Sequence, residues 1–242
     1  MASELTHQPV DPDTVAAILK WVEGYTMVPD VGVIFSIEQA IAAVERAPGS
    51  VIVECGVWRG GCATAMLLAQ RAAFGRVVAP VWMLDSFEGL PPAADRDGPL
   101  AQAWQANTDA PGFFDNCAAS LADVQAGLDR FGFEDGDVRL VQGWFSATAP
   151  AVGEELLDRG ISLLRLDGDW HESTMTCLTH LEPHLVDEGV LLVDDYYAWD
   201  GCARAVHEYL AAHDLAYRVR SLPSFAGAYL EKRSARTDPD RA

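Results

Sequence analysis

Two acidic clusters, Asp167-Gly168-Asp169 and Asp194-Asp195, each close a short apolar run. The runs, Ile161 to Leu166 and Gly189 to Val193, have the length and branched-aliphatic content of buried parallel strands. Ser173 to Leu185 between them reads as a helix, so the unit is strand, helix, strand. A right-handed crossover sets such strands side by side, with both carboxyl ends at one edge of the sheet. That edge is where open α/β sheets bind ligands. Carboxylates gathered there repel one another unless protonated or bridged by a cation, and an all-oxygen donor set suits a hard divalent ion such as Mg²⁺. The competing reading is that these aspartates only cap helices and solvate loops.

A second constellation closes an earlier strand: Val53-Glu54-Cys55-Gly56-Val57-Trp58-Arg59-Gly60-Gly61. Glycines at 56 and 60 permit a tight turn and close approach of backbone to a ligand before the next helix. Their spacing is wider than the Gly-x-Gly-x-x-Gly that seats a pyrophosphate, and it suits a ligand without one, such as S-adenosylmethionine. The next strand ends Leu84-Asp85-Ser86, where an acid can accept ribose hydroxyls by the logic of dinucleotide folds. Gly143 and Trp144 follow a third strand, offering a close backbone and either an aromatic flank for adenine or a core side chain.

These groups need a scaffold, and the chain can build one. Its 242 residues, 50% apolar and 22% charged, fit one large α/β domain. Helices are expected over 11–25, 36–47, 63–74, 201–213 and most of 113–131. Strands are expected over 50–55, 81–84, 138–142, 161–166, 189–193, 216–220 and 226–231. This order gives a doubly wound, mostly parallel seven-stranded sheet. Only Ser221 to Phe225 joins the last two strands, too few residues for a parallel crossover, so the sheet ends in an antiparallel hairpin. That is the layout of a Rossmann-like methyltransferase. Residues 1–47 read as an N-terminal helical extension or lid, 48–233 as the ligand-binding domain and 234–242 as a polar tail.

A formal net charge of −19 argues against nucleic acid and against an anionic membrane surface as partners. The five cysteines show no Cys-x-x-Cys pair, so neither a zinc site nor a disulfide framework is expected. No signal peptide or spanning run is visible, and a cytoplasmic protein is expected.

The segments from Pro48 to Gly61, Leu84-Asp85-Ser86-Phe87-Glu88-Gly89-Leu90-Pro91 and Leu163 to Thr174 resemble the macrocin O-methyltransferase family. So do Val193-Asp194-Asp195-Tyr196, Trp199-x-Gly201 and Ala205-Val206-x-Glu208-Tyr209. The likeness runs from about Thr26 to the terminal strands. It implies S-adenosylmethionine- and Mg²⁺-dependent methylation of a sugar hydroxyl, with a glycosylated natural product or nucleotide sugar as acceptor. It further implies metal ligation by Asp167, Asp194 and Asp195, Asp169 as general base, and closure of Thr26-Met27-Val28 over the methionine end of the cofactor. His171 stands where the family pattern has tyrosine. Together these readings give a cofactor-binding set of Thr26, Glu54, Gly56, Trp58, Arg59, Gly60, Asp85, Ser86, Gly143, Trp144 and Asp167.

His171, whose unperturbed pKa suits proton transfer near neutrality, is a rival base to Asp169. Tyr196, Tyr197 and Trp199 are expected either to wall the acceptor or to pack the next helix. The stretch from Pro91 to Pro111 is long for a connector and reads as a lid or an oligomer contact, so a homo-oligomer is possible. Three other readings stay open. A catechol-type enzyme methylating phenols would use similar metal ligands. Asp-x-Asp also marks phosphatases and glycosyltransferases, and the chain could be a binding subunit without catalysis.

Overall fold

The computed structural model describes residues 10–110 and 112–233. The expected tail at 234–242 and the first nine residues of the expected N-terminal extension lie outside them. Asp11 opens α1 (Pro12–Val22) by accepting the N–H groups of Asp13 and Thr14, and Pro12 supplies a preset φ in the first turn. Next comes α2 (Asp30–Arg46), which starts six residues before the expected Ser36. Pro29 sits just ahead of its first turn, and Asp30 is placed where the helix N-terminus favours an anion.

The ligand-binding half then alternates: β1 (Val51–Cys55), α3 (Gly61–Phe74), β2 (Val81–Asp85), α4 (Gly98–Ala106), α5 (Phe114–Cys117) and α6 (Leu121–Asp129). It continues with β3 (Val138–Gln142), α7 (Phe145–Glu155), β4 (Ile161–Leu166), α8 (His171–Leu181), β5 (Leu185–Val193), α9 (Asp200–Ala212), β6 (Arg220–Ser221) and β7 (Ala228–Glu231). The seven strands lie in the order β3-β2-β1-β4-β5-β7-β6. β1 to β5 run parallel to one another, β7 runs antiparallel to β5, and β6 pairs antiparallel with β7. The expected architecture is therefore present, a Rossmann-like parallel sheet ending in an antiparallel hairpin.

Several boundaries differ for physical reasons. The stretch after Pro91 is not a bare loop. Asp97 folds it into a short turn by accepting the Ala94 N–H, and α4 follows. The expected long helix over 113–131 is broken, because Phe114 to Cys117 all take positive φ and Ser120 caps a fresh helix, α6. The helix α7 was not expected at all. Pro150 inside it removes a backbone donor, and Gly153 lies so close to α8 that a Cβ would sit 2.6 Å from the His180 carbonyl oxygen. β6 spans Arg220–Ser221 rather than 216–220.

The central strands β1 and β4 are buried on both faces, whereas the edge strands β3 and β6 are partly or fully exposed. On one side β1, β4 and β5 pack against α7, α8 and α9 through residues such as Val152, Leu178 and Val206. On the other side lie α2, α3 and α6, with Ala40, Met66 and Val124 in the core. α1 adds a further layer by setting Ile18 and Val22 against Ala65 and Leu68 of α3. Among the described residues no helix is long and apolar enough to cross a membrane.

The sheet ladder runs one step past the strand ends. The N–H of Gly56 bonds the Leu84 carbonyl, that of Asp167 the Cys55 carbonyl, and that of Asp194 the Leu166 carbonyl, all at 2.8 Å. Strand order reverses between β1 and β4, so this line of residues crosses the switch point where a crevice opens in such sheets.

Candidate active site

At the β1 end, Gly56 has φ +86 and lies so close to Asp167 that any Cβ would overlap its backbone carbonyl. Only glycine fits, and that contact ties the glycine loop to the acidic turn after β4. The loop is held from the other side by Asp85. One of its carboxylate oxygens accepts the N–H groups of Val57 at 2.8 Å and Trp58 at 3.0 Å, and the other accepts that of Phe87 at 2.7 Å. Burial holds the Asp85 pKa above the usual carboxylate value, and these three bonds offset only part of that rise. The expected ribose acceptor thus spends its carboxylate first on shaping the loop, although it still lines the cleft.

The β4 and β5 ends present the opposite situation. Carboxylate oxygens of Asp167, Asp194 and Asp195 lie within 4.8 Å of one another. Beneath them is Arg165, fully buried in β4 and in register with Glu54 of β1. Its Nη1 donates to Glu54 Oε1 at 2.8 Å and to Asp167 Oδ2 at 2.7 Å, and its Nη2 donates to Asp194 Oδ1. One guanidinium does not neutralise the group. Burial, partly offset by Arg165, pushes Asp194 and Glu54 up to about 7. Asp195 is raised well above the usual carboxylate range by burial and by Asp169, Asp167 and Asp194. Glu54 Oε2 and Arg165 Nε are buried without a hydrogen-bond partner.

Asp169 sits at φ +55 in the turn between β4 and α8. Its N–H donates to Asp195 Oδ2 at 3.0 Å, and its Oδ1 accepts the indole N–H of Trp199 at 2.8 Å. Burial and the neighbouring Asp167 push its carboxyl up to about 7. Trp199 stacks edge-on with Trp170 at 5.2 Å and with Trp104 at 5.9 Å, making an aromatic wall beside the carboxylate. Trp170 also donates to the Pro91 carbonyl, which draws the start of the 91–111 segment over the site.

These groups surround a cleft of about 480 Å³, within the range of small-molecule sites. Of the expected residues, Thr26, Glu54, Gly56, Trp58, Asp85, Ser86 and Trp144 line it, as do Asp167, Asp169, Asp194 and Asp195. Four do not. Gly60 is packed against Met83 and Val124, and Gly143 lies behind Thr148. The Arg59 guanidinium turns outward to the Gly24 carbonyl and the face of Trp58. His171, the rival base, points away. Its Nε2 is 2.8 Å from Glu208 of α9, and its N–H donates to Asp97. Of the three aromatics expected as an acceptor wall, only Trp199 faces the cleft. Tyr196 bonds His207, and Tyr197 is exposed.

Sequence reasoning missed Arg165, Phe114 and Glu172. Arg165 carried a usable signal, being the one charge in an otherwise uncharged run just ahead of the Asp-x-Asp turn. Phe114 reaches the rim through left-handed backbone that no pattern announced.

The model of the macrocin-O-methyltransferase (TylF) family matches residues 6–231. The mycinamicin III 3''-O-methyltransferase of Micromonospora griseorubida is 38% identical over 178 residues, covering 71% of this chain and 64% of that protein. The 8-demethyl-8-(2,3-dimethoxy-alpha-L-rhamnosyl)-tetracenomycin-C 4'-O-methyltransferase of Streptomyces olivaceus is 35% identical over 188 residues, covering 75% and 65%. The chain thus spans a little under two thirds of the length of these curated relatives. The solved O-methyltransferase NovP is 28% identical, with a TM-score of 0.74 over 87% of this chain and 83% of its own. The chain belongs to the macrocin O-methyltransferase family.

Proposed function

We propose that this protein is an S-adenosylmethionine- and Mg²⁺-dependent O-methyltransferase acting on a sugar hydroxyl of a glycosylated natural product. The observation that carries the reading is the convergence of Asp167, Asp194 and Asp195 within 4.8 Å at the switch point, with Asp169 two residues along. The names of the family and of its relatives support the reaction class.

The residues present fit both groups. Asp167, Asp194 and Asp195 would hold Mg²⁺, since an all-carboxylate donor set suits a hard ion and burial with like charges raises Asp194 and Asp195 despite the one arginine beside them. Bound there, the ion would supply Lewis acidity towards an acceptor hydroxyl. The cofactor would lie along the Gly56 turn, between Thr26-Met27-Val28 and Ser86, and would supply an electrophilic methyl group. Thr26 and Trp58 would close over it, and the buried Trp58 indole N–H, which has no partner, is an available donor.

Asp169 takes the proton from the acceptor hydroxyl. One of its oxygens is fixed by Trp199, which leaves the other to accept. Trp199 and Trp104 offer flat apolar surface to the carbon-bound face of a sugar.

The cleft also bears on acceptor charge. Seven acidic side chains line it, and among the described residues no lysine or arginine does. A nucleotide sugar would bring a diphosphate into that field. A neutral or amine-bearing glycoside would not meet such repulsion, and Met27, Phe114 and Trp144, exposed at the cleft, offer its aglycone apolar contacts. Turnover of a glycoside panel against matched nucleotide sugars, with S-adenosylmethionine and Mg²⁺, tests the proposal. Methylation of glycosides is expected. Methylation of nucleotide sugars alone would overturn the acceptor class, and methylation of neither would overturn the sugar reading.

A further inference from the structure

Resting on the Mg²⁺ site proposed above, we infer that Arg165 is a positioning residue that restricts Asp167 and Asp194 to one free oxygen each and so selects a small six-coordinate cation over Ca²⁺. Register sets Arg165 beside Glu54 on one face of the sheet, with Leu192 of β5 on its other side. The side chain is 0% exposed. From there its planar fork reaches three acids at once. Nη1 serves Glu54 and Asp167 Oδ2, and Nη2 serves Asp194 Oδ1. The third carboxylate is restricted by a different donor, since Asp195 Oδ2 accepts the Asp169 N–H.

Every carboxylate of the cluster therefore gives one oxygen to the protein and keeps one for a ligand. Ca²⁺ takes six to eight oxygens and favours bidentate carboxylates, whereas Mg²⁺ takes six, tolerates single oxygens and keeps several waters. A site whose carboxylates are each half occupied by fixed donors is matched to the second ion. The rigid fork matters as well as the charge. A lysine ammonium is a compact point that cannot span the same acids in one plane.

Calorimetric titration of the purified full chain with Mg²⁺ and with Ca²⁺ tests this without using activity. The wild type should bind Mg²⁺ more tightly than Ca²⁺. Arg165→Lys keeps the charge but releases at least one carboxylate, and it should lower the Mg²⁺-to-Ca²⁺ preference by about tenfold. Because that change buries a new geometry, Glu54→Gln/Arg165→Met provides a second test, removing the buried charge pair together. Both variants leave the net charge of the site unchanged and the two ions carry the same charge, so a changed ratio reports freed oxygens and not electrostatics. A folded variant of either kind whose ratio stays within about twofold of wild type overturns the role of Arg165. So does a wild type that binds Ca²⁺ as tightly as Mg²⁺, whatever the variants do. A wild type that binds neither ion overturns the metal site itself, and the inference with it.

Discussion

The two halves of the cleft floor are built on opposite principles. At the β1–β2 edge, Asp85 is buried but answered by three backbone N–H groups, and Gly56 fills the only space available to it. That half is internally satisfied and holds a shape. At the β4–β5 edge, Asp167, Asp169, Asp194 and Asp195 gather beside a single guanidinium, which bonds two of them and Glu54 of β1, and Glu54, Asp169 and Asp194 are all pushed up to about 7. That half is left short of positive charge. Buried polar groups that are fully paired serve structure, whereas groups whose charge is left uncompensated are candidates for binding and chemistry. Under the function proposed above, the first edge would cradle a ligand by shape and the second would hold a cation and move a proton.

If the contrast holds, the largest effect belongs to the base. Asp169→Asn should keep the Trp199 hydrogen bond and the turn but lower single-turnover rates by about 10²–10⁴, with S-adenosylmethionine affinity unchanged by calorimetry. Near wild-type chemistry would remove Asp169 from that role. Next comes Asp194→Asn, which should weaken Mg²⁺ binding by at least about tenfold while leaving cofactor affinity within about twofold. Equal losses of both would blur the division between the two edges.

On the satisfied side, Asp85→Ala should cost about 1–3 kcal/mol in cofactor affinity, the range for hydrogen bonds to a charged acceptor. It should lower the melting temperature too, because Val57 and Trp58 lose their anchor. A loss of affinity with no loss of stability would instead favour direct ribose contact. The smallest effect is expected at His171. Its ring faces Glu208, so His171→Gln should change turnover by less than about threefold, while stability falls by about 1 kcal/mol. A fall as large as that of Asp169→Asn would bring His171 back as the base.

Much of this arrangement was legible in the chain, and the illegible parts share a cause. Strand ends were readable because apolar runs stop abruptly at Gly56, Asp85, Asp167 and Asp194, and strand order then follows from crossover handedness. Asp167, Asp194 and Asp195 could be placed together because their strands are adjacent. The helix α7 was hidden because Pro150 and Gly153 suppress helical propensity, and tertiary packing against α8 overrides that deficit. The turn at Phe114 to Cys117 was read as helix because its backbone conformation leaves no compositional trace. Arg165 was absorbed into an apolar run, and only the register shows that it faces Glu54. His171 looked like a base by its position, and only side-chain direction shows it turning away from the cleft. What sequence lacked throughout was orientation.

The central claim is that the acidic edge needs a divalent cation to work. Turnover of a glycoside acceptor with saturating S-adenosylmethionine, measured on metal-stripped protein before and after adding Mg²⁺, tests it most directly. Turnover should be absent from the stripped protein and restored by Mg²⁺. Full turnover in stripped protein, with EDTA present, would contradict the account.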